Sequence, residues 1–254
     1  AIVTGSLQLG YGATLAILSP FFLEALRRAG GMGIGILSLP VYAAIVMSGH
    51  QSSAVLALIG LAGWTMLALR NKEVGAKRQV TGFVISAIIG LLLGVYLSVV
   101  TGQVSTLAEA PARYQSFLYQ SQLWELSWQA FMDHWLTGVG MRGFGTYALA
   151  TDASTIPGLA ETWHSHLTIL EVISETGLVG LIGYGLLLRW LWGYVQDERM
   201  HVAVAGLTAL LAVFPLGTAV GMYSYIGGNL IFLTFTLLIA LDRDCPQVNE
   251  TSAP

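Results

Sequence analysis

The residues best suited to chemistry lie close together, between Gly138 and His166. A glycine-rich stretch, GVGMRGFGTY, contains Arg142, and two histidines follow before a long apolar run. Histidine exchanges a proton near neutral pH, which suits a general base acting on a hydroxyl group, and His166 is the predicted base. Glycines allow a backbone to approach an anion, and arginine binds phosphate. Gly138, Gly140 and Arg142 therefore predict an anion-binding turn, with an ordinary flexible turn as the alternative.

Two carboxylates follow His166 on the same predicted helix, Glu171 and Glu175, four residues apart. Ionisable side chains at a membrane boundary often serve function, and buried structural pairing is the alternative. Gly177 and Gly180 would permit close packing where this helix enters lipid. The histidines form no ligand cluster with carboxylates at recognisable spacing, and the chain has a single cysteine. We therefore expect no intrinsic metal and no cofactor.

The composition indicates an integral membrane protein. Only 10% of the 254 residues are charged, 55% are hydrophobic, and the mean hydropathy is +0.69. A water-soluble fold of this length would carry far more charge, and a net charge of −3 gives no sign of nucleic-acid binding. Apolar runs of about 20 residues cross a bilayer as helices. We predict an all-α, polytopic transmembrane helix bundle that forms a single domain over residues 1–254. The seven predicted spans are residues 12–29, 31–49, 52–70, 80–100, 167–195, 200–220 and 223–241.

The basic residues predict the orientation of these spans. Of the eleven Lys and Arg residues, all but Arg113 and Arg142 fall on one side when the spans alternate. The positive-inside bias assigns that side to the cytoplasm. The two exceptions lie in the long connection of residues 101–165, which is therefore predicted to face outside. A positive charge on the disfavoured side is a candidate for function.

Within this outer connection, the stretch ARYQSFLYQSQLWELSWQAFMDHW predicts an amphipathic helix. Its apolar face contains Tyr114, Phe117, Leu118, Trp124, Trp128, Phe131, Met132 and Trp135. Such a face suits the membrane interface, where Trp and Tyr are favoured. The other face presents Arg113, Ser116 and Gln120 at successive turns. A helix that only plugs the outer mouth of the bundle is the alternative.

Three segments, in this order, resemble the O-antigen ligase and O-antigen polymerase superfamily. SGHQSSAVLALIG follows an apolar span, LWELSWQAFMDHWLTGVGMRGF lies in the outer connection, and SHLTILEVISETGLVG leads into the next span. Members of that family are polytopic glycosyltransferases that use an undecaprenyl-diphosphate-linked glycan as donor, without metal or nucleotide sugar. They transfer it to a lipid or glycan acceptor. Relatives contain more spans, so we expect this chain to correspond to their C-terminal half.

The resemblance also implies roles for particular residues. It places His166 at the head of the family's catalytic helix as the base, and Gly138 and Gly140 in the family's glycine turn. Two positions where the family usually has arginines that bind the donor diphosphate hold Gln51 and Gln120 here. Glutamine hydrogen-bonds a phosphate oxygen but does not neutralise its charge.

An arginine elsewhere would have to take over that charge, and Arg113 and Arg142 are the two candidates. Two functions therefore stay open. One is a metal-independent glycosyltransferase at the outer face of the bacterial inner membrane, with a lipid-linked glycan, an acceptor and membrane lipids as partners. The other is a catalytically degenerate relative that serves as a structural subunit among other membrane subunits.

Overall fold

The computed structural model describes residues 6–30, 32–48, 51–70, 76–100, 110–151, 165, 167–216 and 225–243 of the chain. In this part of the chain the regular elements are helices, and no strand is present. The α-helices are α1 (Ser6–Ala29), α2 (Ser38–Met47), α3 (Gln51–Arg70), α4 (Ala76–Val100), α5 (Ala110–Asp133), α6 (Phe144–Ala150), α7 (Thr168–Val195), α8 (Met200–Ala212) and α9 (Tyr225–Arg243). A 3₁₀ helix, Met32–Leu37, leads into α2. The predicted all-α fold class is confirmed.

Each of the seven segments predicted to cross the membrane contains a helix. Within the described residues, three helices are long and apolar enough to cross it by length and composition, namely Ser53–Arg70, Lys77–Val100 and Thr168–Val195. Shorter apolar helices cover Gly35–Met47, Met200–Ala212 and Gly228–Asp242. Helix α8 is shorter than the predicted span 200–220, because Pro215 follows closely and its ring and missing N–H cannot continue a helix.

Helix α8 lies at the centre of the bundle. Every residue from Val202 to Ala209 is buried, as expected for a helix that is apolar on all sides. One cluster packs α8 against α1 and α3 and continues into α2 and α4, and a second packs α8 against α7 and α9. In the first cluster the Trp64 ring meets Phe83 edge-on, with 5.7 Å between centroids. Such aromatic pairs contribute about 0.5–1.5 kcal/mol beyond area burial.

Helices α2 and α4 approach each other closely at two glycines one turn apart. A Cβ placed on Gly90 would lie 2.5 Å from the carbonyl oxygen of Leu39, and one on Gly94 would lie 2.7 Å from that of Ala43. Small residues at this spacing let helix backbones touch, and packing of this kind joins helices in lipid. The α2–α4 contact therefore depends on both glycines.

Charged side chains join several helices at one end of the bundle. The Arg70 guanidinium, at the end of α3, donates to the carbonyl oxygens of Gln196 and Asp197 in the α7–α8 connection. The Arg199 guanidinium, just before α8, pairs with the carboxylates of Asp197 at 2.8 Å and Asp242 at 2.6 Å. The ends of α3, α7 and α9 thus meet the start of α8. That this end faces the cytoplasm stays a prediction.

The helix predicted in the outer connection is present as α5, and it leads to the short helix α6. Leu123 and Leu126 of α5 are buried in a cluster with Phe144 of α6. Trp128 and Trp135 are instead exposed, by 51% and 55% respectively. This exposure fits the predicted aromatic face. Its location at the membrane interface stays a prediction.

Candidate functional site

Helix α7 is interrupted at Gly177. The backbone angles there are φ 61° and ψ −154°, a region that essentially only glycine adopts. In an unbroken helix the amides of Leu178 and Val179 would donate to carbonyls four residues earlier. At the break they donate instead to the carbonyl oxygens of Trp135, at 2.8 Å, and Leu136, at 3.2 Å. The segment that follows α5 therefore supplies the acceptors that the break takes away.

The same segment also serves the two carbonyls that the break leaves without their helical donors. The Ser174 carbonyl accepts from the Val139 amide at 2.9 Å, and the Glu175 carbonyl accepts from the Gly140 amide at 3.0 Å. Unpaired backbone groups inside a protein cost free energy, so a break of this kind needs replacement partners. The segment from Trp135 to Gly140 provides all four partners, two carbonyl acceptors and two amide donors, and four hydrogen bonds therefore join it to α7.

Two glycines make this contact sterically possible. A Cβ on Gly177 would lie 2.5 Å from the carbonyl carbon of Leu136, and one on Gly138 would lie 2.2 Å from that of Glu175. Gly138 also has a positive φ of 67°. The close packing predicted for Gly177 is therefore present. At Gly180 an added Cβ would meet the side chain of Thr176 in the same helix instead.

Glu175 binds the turn with its side chain as well as its carbonyl. Only 1% of the residue is exposed, and its Oε2 accepts a hydrogen bond from the Arg142 amide at 2.9 Å. The Phe144 amide, at the start of α6, donates to the same carboxylate. Arg142 has a φ of 59°, which is unusual for a residue other than glycine. The carboxylate thus holds the turn at its most strained residue, while the Arg142 residue itself is exposed.

Most amides of the glycine turn are committed to protein acceptors. Gly138 donates to the His134 carbonyl at 2.7 Å, and Gly143 donates to the Gly140 carbonyl at 2.8 Å. The amide of Gly140 is bound to α7, as described above. The amides of Gly138 and Gly140 thus donate to carbonyls of the protein, and an anion-binding role for this turn stays a prediction. What these two glycines contribute is the shape of the turn that carries Arg142.

His166 itself lies outside the described residues, as does His164. Its flanking residue Ser165 is fully buried, and the Ser165 hydroxyl donates to the Leu167 carbonyl at 3.1 Å. The start of α7 is tied to the α8–α9 connection, because the Ile169 amide donates to the Pro215 carbonyl at 3.0 Å. Glu175 follows the first residue of α7 by about two turns, or roughly 10 Å along the axis.

The remaining predicted site residues fall in three other places. Gln120 is half-buried on α5, one turn before Leu123 in the cluster that joins α5 to α6. Arg113 lies in the first turn of α5 and Gln51 is the first residue of α3, and the side chains of both lie outside the described part. The structure therefore brings Arg142, Gly138 and Gly140 together against α7.

Sequence reasoning missed one polar pair beside the turn. The Tyr147 hydroxyl of α6 donates to the Asp133 carboxylate at the end of α5. Partial burial, together with the neighbouring Asp133 carboxylate, raises the pKa of Tyr147 to about 12. The phenol therefore stays protonated at neutral pH and keeps α6 against α5. Their separation in the sequence gave no periodic signal for this pair.

Sequence reasoning singled out Glu175 but gave it no partner. Its acceptor role depends on a turn far earlier in the chain, which no local pattern reveals. In the part of the chain that the structure describes, no group of three or more His, Cys, Asp or Glu side chains is arranged to hold a metal ion.

A comparison with known protein families finds a match that covers more than half of the chain. A family model described as O-antigen ligase covers residues 34–185. The matched region contains α2 to α6 and the part of α7 with the Gly177 break. No curated protein and no solved structure matches the chain.

Proposed function

The chain belongs to the O-antigen ligase family, and from this premise we propose that it is a membrane glycosyltransferase. The donor is a glycan linked to undecaprenyl diphosphate, and the acceptor is a hydroxyl group of a lipid or of another glycan. The reaction takes place at the outer face of the bacterial inner membrane. The chain lies in that membrane as a multi-pass, single transmembrane domain, with residues 101–165 outside.

The proposed reaction is a displacement at the anomeric carbon of the donor sugar. The acceptor oxygen forms a bond to this carbon, and the bond from the carbon to the donor phosphate oxygen breaks. His166 takes the proton from the acceptor hydroxyl. Undecaprenyl diphosphate leaves with an extra negative charge, which an arginine stabilises. Arg142 has that role in our proposal, with Arg113 as the second candidate.

One observation carries the assignment of Arg142. The turn that contains this arginine is hydrogen-bonded into the break of α7, and the Glu175 carboxylate binds the Arg142 amide. In the sequence, His166 precedes Thr168, the first residue of α7, by two positions. The turn with the proposed phosphate ligand is therefore bound to the helix that follows the proposed base, about two turns from the start of that helix. An exposed arginine on this turn suits the diphosphate of the donor.

A binding measurement tests this function. The probe is undecaprenyl diphosphate, which presents the lipid and the diphosphate whatever the glycan is. We expect the purified protein in detergent to bind it, and Arg142→Ala to weaken binding roughly tenfold, as expected for a lost charge-assisted hydrogen bond. Met141→Ala is the matched control, because Met141 is the exposed neighbour in the same turn. Equal binding by both variants would remove Arg142 from the site.

A second function is favoured by the glutamines at positions 51 and 120. If neither Arg142 nor Arg113 replaces the charge that the family places there, the donor diphosphate has no strong ligand. The chain would then be a catalytically silent relative that acts as a structural subunit of a larger membrane complex. Absence of undecaprenyl diphosphate binding by the unmodified protein would favour this function over the first.

A further inference from the structure

We propose that Glu175 is a positioning residue for this reaction, because its buried carboxylate binds the turn that carries Arg142 and so fixes that turn against α7. This inference rests on the proposed function and adds a residue to it. Glu175 does not touch substrate in this account. It acts through Arg142.

The first support is the environment of the carboxylate. Glu175 is 1% exposed, and a buried carboxylate is costly unless hydrogen bonds satisfy it. Two backbone amides do so, those of Arg142 and Phe144. The positive charge of Arg142 also attracts it. The Glu175 side chain therefore links both Arg142 and the start of α6 to α7.

The second support is the backbone conformation of Arg142. A φ of 59° is unfavourable for any residue with a Cβ, and glycine would adopt it without strain. Strained residues of this kind persist only where the surroundings fix them, and they cluster at functional sites. The hydrogen bond from the Arg142 amide to Glu175 supplies the constraint. What an arginine offers here, and a glycine does not, is its side chain.

The third support is that backbone amides of the turn already donate hydrogen bonds within the protein. The amides of Gly138, Val139, Gly140 and Gly143 donate to carbonyls, and that of Arg142 donates to Glu175. An anion that approaches the turn would therefore meet the side chain of Arg142 rather than these amides. The Glu175 carboxylate of α7 occupies the Arg142 amide, and the residue that the turn exposes is Arg142. Glu175 and Arg142 thus work as a pair.

The test is a double-mutant cycle on binding of undecaprenyl diphosphate by the full chain in detergent. The variants are Glu175→Ala, Arg142→Ala and the double variant, with Glu175→Gln as the conservative replacement. We expect Glu175→Ala to weaken binding roughly tenfold and Glu175→Gln to weaken it less, since the amide oxygen still accepts a hydrogen bond. In the Arg142→Ala background, Glu175→Ala should have almost no further effect, because the residue acts through Arg142.

Two controls separate positioning from folding. Glu125→Gln removes the same charge from an exposed site on α5 and should bind like the unmodified protein. Hydrogen exchange of the Gly138–Gly143 amides should accelerate in Glu175→Ala while the rest of the bundle stays protected. A variant that unfolds globally would instead lose protection everywhere, and Glu175→Gln then completes the cycle.

The outcomes distinguish this inference from the proposed function. If Glu175 substitutions weaken binding equally with and without Arg142, or leave it unchanged while Arg142→Ala weakens it, the positioning role is wrong and the proposed function stands. If the unmodified protein does not bind the probe at all, the proposed function fails and the positioning role fails with it.

Discussion

Gly138 and Gly177 place two backbone segments in direct contact: a Cβ on Gly177 would lie 2.6 Å from the Gly138 amide nitrogen. Both residues have a positive φ. Around this contact the segment from Trp135 to Gly140, which follows α5, forms four backbone hydrogen bonds with α7. The two amides and two carbonyls of α7 that lose their helical partners at the break are therefore all paired. The glycine turn is thereby a structural part of α7, and Arg142 is carried on it.

The Gly177 contact predicts a large difference between two glycine substitutions in α7. Gly177→Ala should destabilise the protein by about 1–3 kcal/mol from backbone strain alone, with the steric clash in addition. Gly183→Ala is the matched control, because an added Cβ there meets nothing within 4 Å. It should be neutral or stabilise by up to about 1 kcal/mol, since alanine favours helix. Thermal unfolding in detergent measures both. Similar midpoints for the two variants would contradict the contact.

The pairing of Arg199 with Asp197 predicts a stability that depends on pH. The hydrogen bond from Arg199 holds the pKa of Asp197 below its ordinary value of 3.8. A carboxyl whose folded pKa is lowered adds stability above its unfolded pKa, and that stability is lost as pH falls through the folded value. Arg199→Gln should therefore cost about 0.5–1 kcal/mol at pH 7, for a partly exposed pair. The cost should shrink below a pH of about 4.

Unfolding midpoints of the unmodified protein and Arg199→Gln, taken from pH 7 to pH 3, check this prediction. Arg189→Gln on α7 is the control for the loss of a positive charge, because Arg189 is exposed. A cost for Arg199→Gln that is the same at every pH, or that matches the control, would show that the ion pair contributes nothing specific.

The sequence predicted the helices well because length and apolarity are local properties. Seven predicted apolar runs contain helices, and the predicted aromatic stripe is exposed at Trp128 of α5 and at Trp135 just after it. The end of α8 was placed too late, although Pro215 stood in the sequence as a helix breaker. The span was bounded by the length of the apolar run, and a single proline inside that run was not counted as the end of a helix.

The candidate site was predictable only in part. Arg142 and the glycines drew attention by residue type, since arginine and glycine together suit phosphate binding. The break at Gly177 needs acceptors from Trp135 and Leu136, and such non-local pairing leaves no periodic pattern in the sequence. The bond from Glu175 to the Arg142 amide is invisible for the same reason. Residue types indicated the turn, while only the structure shows that amides of the turn donate to acceptors within the protein.

The predicted orientation of the chain can be tested with single cysteines. In a Cys245→Ser background, Met141→Cys, which replaces a side chain that is 69% exposed, should react with a membrane-impermeant maleimide in sealed cells. Arg78→Cys at the exposed start of α4 should react only after the membrane is opened. The positive-inside bias predicts this pattern. The reverse pattern would place the glycine turn in the cytoplasm and remove the undecaprenyl-diphosphate reaction.

The glutamines at positions 51 and 120 allow a gain-of-function experiment. Gln51→Arg together with Gln120→Arg should restore positive charge where the family places it, and should tighten binding of undecaprenyl diphosphate by roughly tenfold or more. Gln122→Arg together with Gln129→Arg adds the same charge at two exposed positions on α5 and is the control. An equal gain from the control would mean that general attraction to the lipid explains the effect. If neither the original nor the double variant binds, we would adopt the structural-subunit function.

The most direct measurement of the central claim is release of undecaprenyl diphosphate from a glycan-bearing donor. Purified protein is incubated with the total lipid extract of its native membranes, which supplies both the lipid-linked glycan donor and the lipid or glycan acceptor, and the released undecaprenyl diphosphate is quantified by mass spectrometry. We predict release by the unmodified protein, a loss of about a hundredfold to ten-thousandfold in His166→Ala, and near-normal release in His164→Ala. All variants must remain folded and inserted in the membrane. Release that is undetectable in the unmodified protein, or unchanged in His166→Ala, would contradict the account.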